Sequence, residues 1–178
     1  MPKWGSLRLF LAGIGRVWIE IDQKMTLTAK DRKILACLQS DGRLSNVALA
    51  EKVGMSPSPC LRRLRSLEEA GYVKSYAAIL DRHKLGLQIV AFVEVKVPQV
   101  ADVAIVERFK AAVLREPAIV SCFLIAGQFD FLLKVVARDI EAYSALAQNV
   151  LLRLPGVQDM RSSFVLDAVK DTLVLPID

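Results

Sequence analysis

An α+β fold, with three short helices in front and a βαββαβ order behind, follows from two patterns and one division of charge. The front carries helix start and stop signals at close intervals. The back alternates apolar strand-like runs with two helical periods. The formal charge of +5 is matched by residues 25–88 alone, which hold 11 Lys and Arg against 6 Asp and Glu, whereas residues 89–178 hold 9 against 11. A basic half joined to a faintly acidic half predicts two domains with different partners, the basic one facing an anion.

The first 24 residues stand apart, with 4 basic and 2 acidic side chains. Leu9 to Gly13 form a short apolar run behind Lys3 and Arg8, faintly like a secretory signal. The run is brief, Arg16, Glu20 and Asp22 follow it, and no small-residue cleavage site is evident. The segment reads either as an extension ahead of a true start at Met25, which is the expectation adopted, or as a tail. The expected domains are thus 1–24 as extension, 25–80 as the basic helical domain, 81–88 as linker and 89–178 as the faintly acidic α+β domain.

Thr28 and Asp31 have the spacing of a capping box, and Ile34, Leu35 and Leu38 make an apolar stripe behind it. Asp41-Gly42 ends that helix. Ser45 caps a second, with Leu44 and Leu49 at the staple positions and Ala50 and Val53 facing inward, until Gly54 breaks the chain. Ser56-Pro57 opens a third helix, where Pro59 is also tolerated because first-turn N–H groups have no helical partner. At 100° per residue, Leu61, Leu64 and Leu67 share one face with Cys60 beside them. Ser58, Arg62, Arg65 and Glu69 share the opposite face, flanked by Arg63 and Ser66.

Two short helices about a one-glycine turn, the second cationic outside, form the pattern of a helix-turn-helix. The N-terminal end of the second would enter the major groove of double-stranded DNA, where Arg reaches guanine edges or phosphates. Ser58 and the free N–H groups at the helix start suit phosphate oxygens. Gly71 to Lys74 turn into an apolar strand, Tyr76 to Leu80, placed like the wing of a winged helix. A solvated basic face on a small bundle is the plainer alternative, and the spacing of all these pieces weighs against it. Cys60, on the inward face, reads as a small core residue rather than a redox sensor.

Residues 27–87 resemble the helix-turn-helix of the leucine-responsive regulatory protein/AsnC (Lrp/AsnC) family of transcription regulators. The resemblance rests on Asp31, Ile34, Leu35, Gly42, Arg43, Leu49, Ala50, Val53, Ser56, Pro57, Cys60, Arg63, Leu67, Gly71, Leu85 and Gly86. It implies a helix-turn-helix over about Asn46 to Arg65. The expected DNA-contacting set is Asn46, Ser56, Ser58, Pro59, Arg62, Arg63, Arg65 and Lys74.

Behind the polar link Asp81-Arg82-His83-Lys84, Ile89 to Val97 reads as a strand ending at Pro98. Val103 to Arg115 is helical, and Ile119 to Ala126 and Phe129 to Ala137 are strands about a Gly127-Gln128 hairpin turn. Asp139 caps a helix through Leu154 that Pro155-Gly156 stops. Val157 to Leu166 and Val169 to Leu175 read as strands. The order is ferredoxin-like with a tail strand. Residues 124–135 and 151–176 also resemble the sensing domain of the same family.

Asp130 is the odd residue, a carboxylate inside an apolar stretch that needs a cationic partner. One reading is a structural salt bridge to Arg161 or Lys134; the other is a ligand for an effector's ammonium, with Gly127-Gln128 presenting N–H groups to its carboxylate. The resemblance implies an amino-acid effector near this hairpin at an interface between dimers. Gly127 and Asp130 carry over to that site directly, Gln128 joins them as part of the same turn, and Leu124, Ala126, Ile140, Ser163 and Phe164 are weaker wall candidates. Ala126 departs from the small hydroxyl residue often found there, which puts one polar contact in doubt.

No apolar run approaches the roughly 20 residues of a membrane-spanning helix. Cys37, Cys60 and Cys122 lie far apart without a CxxC pair, which argues against a disulfide framework or zinc site and for a reducing cytoplasm. His83 is the single histidine, no metal or cofactor is implied, and no nucleophile-elbow, P-loop or GxGxxG run appears. The sequence therefore predicts a transcription regulator rather than an enzyme: a homodimer assembling to an octamer or similar, without membrane contact, that binds DNA and senses an amino acid. A ligand-indifferent DNA-compacting protein of the same fold is the alternative.

Overall fold

A computed structural model describes residues 7–8, 18–19, 26–97 and 103–177. One compact unit takes in 7–8, 18–19, 26–79 and 170–177, and a second takes in 80–97 and 103–169. Strands β1 (Leu7–Arg8) and β2 (Trp18–Ile19) pair antiparallel. Otherwise the expected extension and its Met25 start lie outside the described residues, as does the strand stop at Pro98.

The first unit is built on α1 (Ala29–Ser40), α2 (Asn46–Val53) and α3 (Pro57–Glu69). Thr28 Oγ1 accepts from the Asp31 N–H while Asp31 Oδ2 accepts from the Thr28 N–H, so the capping box forms. Ser45 Oγ accepts from the Ala48 N–H at 3.2 Å and caps α2, which Gly54 ends. Ser56 takes the cap position of α3 in extended backbone, but its side chain makes no cap bond. Helices of this length are marginal alone. Here Ile34, Leu35, Leu49, Ala50, Val53, Cys60 and Leu67 bury together, with Leu38, Leu44, Leu64 and Tyr72 against them. Each large apolar side chain so buried contributes roughly 1.5–3 kcal/mol, more than any cap.

Two expected strands do not form. Tyr76 to Leu80 has no strand assignment, because a lone strand has no ladder partner and the chain next enters the turn 82–86 instead of a return strand. Tyr76 is held by its side chain, its hydroxyl donating to Glu68 Oε1 at 2.8 Å. Val169 to Leu175 is likewise not a strand. Its backbone is satisfied elsewhere: Gln39 Nε2 donates to the Leu175 carbonyl at 3.0 Å, and the Leu175 N–H donates to Gln39 Oε1 at 2.6 Å. Ile177 then packs on the helical core.

The second unit runs β3 (Ile89–Lys96), α4 (Val103–Val113), β4 (Ile119–Leu124), β5 (Phe131–Ala137), α5 (Ile140–Asn149) and β6 (Asp159–Phe164). The sheet is antiparallel in the order β4-β5-β3-β6, the ferredoxin-like arrangement. Asp139 caps α5 through the Ala142 N–H at 2.7 Å. The helix ends earlier than expected, at Asn149, and a 3-10 turn over Leu151–Arg153 carries the chain to Gly156. A Cβ on Gly156 would run into Ile105 Cγ2, so this close approach requires glycine.

Strand alternation sets the layers. Ala91, Val93, Val95, Phe131, Leu133 and Val135 bury against Phe109 and Val113 of α4 and Tyr143 of α5. The opposite sheet face carries Phe92, Glu94, Leu132, Lys134 and Val136, and Phe92 and the edge residue Phe123 are exposed.

Candidate DNA-binding face and effector turn

Helix α3 presents Ser58, Arg62, Arg65, Ser66 and Glu69 to solvent and turns Cys60 and Leu67 inward, as the helical plot predicts. Arg62 and Arg65 have no ion pair among the described residues, so their charge is available to an anion. Arg63 is used differently. Its Nε lies 3.2 Å from Asp31 Oδ1, and its guanidinium donates to Thr28 Oγ1 at 3.2 Å. Asp31 is buried, and a buried carboxylate is costly without a counter-charge. Arg63 thus joins α3 to the capping box of α1.

Asn46 braces the turn, its Nδ2 donating to the Pro57 carbonyl at 2.9 Å. This ties the first turn of α2 to the first turn of α3. Pro57 and Pro59 have no N–H, which leaves Ser58 as the residue of 57–59 with a backbone donor. The anion-binding N-terminus is therefore narrower than the free N–H groups the sequence led one to expect. Ser56 and Lys74 are exposed and Pro59 is half-buried. Burial, and secondarily Cys37, pushes the Cys60 thiol up, which favours the inert core role over sensing.

In the second unit the residues 125–130 close a hairpin turn between β4 and β5. The Ile125 N–H donates to the Asp130 carbonyl at 2.9 Å, and the Asp130 N–H donates to the Val95 carbonyl at 3.0 Å. Gly127 has φ +149°, a backbone that favours glycine. Asp130 sits in the turn just before β5, not within the strand, and has the Lys96 ammonium as a cationic neighbour. Its Oδ2 accepts from the Val97 N–H at 2.9 Å and lies 3.5 Å from Lys96 Nζ. Lys96 Nζ also donates to the Gln128 carbonyl at 2.9 Å. Arg161 instead faces Glu94 at 3.9 Å.

The wall candidates fall into two groups. Leu124, Ala126, Gly127 and Gln128 belong to the hairpin itself and are exposed. Phe164 lies opposite Ala91 and Ser163 opposite Phe92, whereas the hairpin meets β3 at Val95 to Val97. Four residue steps along β3 separate Phe92 from Lys96, about 13 Å of rise. Ile140, after the end of β5 that pairs with Ile89, is at the Phe164 end. Within one chain the hairpin and the Ile140, Ser163 and Phe164 group do not converge. The Phe164 ring packs edge-on against Tyr143, with centroids 4.9 Å apart.

Residues 27–74 match the family model for winged helix-turn-helix DNA-binding domains, and residues 90–175 match that for the Lrp/AsnC ligand binding domain. The leucine-responsive regulatory protein of Salmonella typhimurium is 45% identical over 142 residues, 80% of this chain and 86% of that protein. The chain belongs to the Lrp/AsnC family. The leucine-responsive regulatory protein of Escherichia coli is 44% identical over the same shares. A transcriptional regulator of Neisseria meningitidis, solved in complex with L-methionine, superposes with a TM-score of 0.82 at 45% identity, covering 86% of this chain and 98% of that one. An AsnC family regulator from Agrobacterium tumefaciens gives 0.79 at 34% identity, covering 84% and 97%. This Lrp/AsnC chain is accordingly a DNA-binding transcriptional regulator with a ligand-binding domain, and its relatives are regulators rather than enzymes. Among the described residues, no helix is long and apolar enough to cross a membrane.

Proposed function

We propose that this regulator contacts double-stranded DNA through Ser58, Arg62 and Arg65 on α3, supported by Ser56, Pro59 and Lys74, with Asn46 and Arg63 holding the helix in place. The observation that carries the reading is the contrast along α3. Arg62 and Arg65 point outward without an ion pair among the described residues, while Arg63, beside them in sequence, is drawn to Asp31. Arg62 and Arg65 then supply phosphate or guanine contacts at the N-terminal half of a helix suited to the major groove. A twofold dimer would set two such helices on half-sites about one helical turn, or a multiple of it, apart.

The effector is an amino acid, received at the 124–130 hairpin with Asp130 as the carboxylate for its ammonium. The relatives named leucine-responsive and the methionine-bound neighbour support this ligand class. Because Ile140, Ser163 and Phe164 lie at the far end of the same domain, a pocket that includes them takes its second wall from another copy. Homodimers assembling to an octamer or similar would supply it. The open face of the sheet, where Phe92, Leu132 and Val136 lie among Glu94 and Lys134, supports self-association. Effector binding between copies then shifts assembly and, by linkage, DNA affinity. The place of action is the cytoplasm, where DNA and free amino acids meet.

Thermal melting against each proteinogenic amino acid tests the ligand, since a molecule that binds only the native state raises its stability. One or a few amino acids should raise the melting temperature of the wild type and not of Asp130→Ala. A response retained in Asp130→Ala would reject the pocket assignment.

A further inference from the structure

The acceptors assigned above to an effector's ammonium already hold a cation. Lys96 Nζ lies 2.9 Å from the Gln128 carbonyl oxygen and 3.5 Å from Asp130 Oδ2. A carboxylate beside a backbone carbonyl is the acceptor set that a primary ammonium seeks. We infer that the Lys96 ammonium is an internal occupant of the effector's ammonium position, and that an arriving amino acid must displace it. This inference rests on the proposed amino-acid site at the hairpin and concerns how that site is gated.

Three features fit displacement better than a permanent structural bridge. Lys96 is 41% exposed at its side chain, and so can swing into water with little desolvation cost. Asp130 is 17% exposed and keeps the Val97 N–H bond when the lysine leaves, so its carboxylate stays aimed. The turn also retains its own closure, because the bonds from the Ile125 N–H to the Asp130 carbonyl and from the Asp130 N–H to Val95 do not involve Lys96. Exchange of one ammonium for another therefore leaves the backbone intact and releases a mobile cation at the hairpin rim. The internal occupant also sets a threshold: affinity is reduced by the fraction of molecules in which Lys96 holds the position.

Removing the competitor should tighten binding. Titration calorimetry on the full chain with L-leucine and L-methionine would compare wild type with Lys96→Gln, Lys96→Met and Lys96→Arg. The Gln and Met variants are expected to bind about three- to fivefold more tightly, the upper part of the range of one exposed charge pair. The Arg variant, still cationic, should stay within about twofold of wild type. L-leucinol, which keeps the ammonium and lacks the carboxylate, should gain as the amino acids do. Isocaproate, a carboxylate without ammonium, should gain nothing.

Equal affinity in all four proteins would reduce Lys96 to a bystander. Weaker binding in the Gln and Met variants would make it a ligand for the effector carboxylate; either result overturns the inference while leaving the amino-acid site standing. If the wild type binds no amino acid, the site and the inference fall together. Melting curves without ligand check the fold, and Lys96→Gln, which keeps a donor for the Gln128 carbonyl, carries the test should Lys96→Met unfold.

Discussion

The recognition helix and the effector turn handle charge in opposite ways. On α3, Arg62 and Arg65 are left outward without ion pairs among the described residues, and one chain presents the whole surface. At the hairpin, Asp130 and Lys96 meet each other, and the remaining wall candidates lie at the other end of the domain. DNA is always present at high charge density, so a surface that binds it gains from exposed cations and a strong salt dependence. A small effector must instead bind only above some concentration. In the proposed assembly, a self-paired site that a second copy completes would provide that threshold.

Four sets of substitutions test this contrast and the fold beneath it. The largest effect is expected from Arg62→Ala with Arg65→Ala: operator affinity should fall by about a hundredfold and its salt dependence should flatten, at unchanged melting temperature. Unchanged affinity in a gel-shift titration would remove the recognition face. Gly156→Ala should cost about 2–4 kcal/mol, since the new methyl meets Ile105 and Val97 and the backbone has φ +78°. Denaturant unfolding would show it, and a neutral result would mean that the α4 side yields freely.

Arg63→Ala sits next to the recognition arginines and should behave unlike them. It strips the buried Asp31 of its counter-charge, so stability should drop by roughly 1–3 kcal/mol while the folded protein keeps most of its DNA affinity. The reverse pattern would place Arg63 on the DNA. The smallest effect belongs to Tyr76, whose phenol is pushed up to about 12 by burial and then by the Glu68 carboxylate. A raised phenol favours the protonated form in the folded state. Its contribution is complete below the ordinary value of 10 and is lost as pH rises from about 10 to about 12. Tyr76→Phe should flatten that part of the melting-temperature profile.

The three helices were legible because their signals are local: Thr28 with Asp31, Ser45 with Gly54, and the stripe through Leu61, Leu64 and Leu67 each lie within one or two turns. Sheet alternation around Val93 and Leu133 was legible for the same reason. What failed depended on partners distant in sequence. Tyr76 to Leu80 and Val169 to Leu175 have strand-like composition, but a strand exists only where a neighbour offers a ladder, and Glu68 and Gln39 answered instead. Asp130 was rightly expected to need a cation, yet Lys96 comes from another strand's end that no spacing rule marks. Arg63 plots at the margin of the exposed face, and nothing in the helical plot shows that the Thr28–Asp31 box faces it. The loss of N–H donors at Pro57 and Pro59 is itself written in the sequence, since proline carries no backbone hydrogen.

The grip of Gln39 on Leu175 engages backbone atoms alone, so it is blind to the side chain there. Substitutions at that position, proline apart, can accumulate without loosening the tail. The polypeptide leaves the helical unit near Ile79 and rejoins it near Lys170, so both ends of the sensor domain are stitched to the DNA-binding unit. A fluorophore placed on this returning segment would therefore move with the helical unit and not with the sheet.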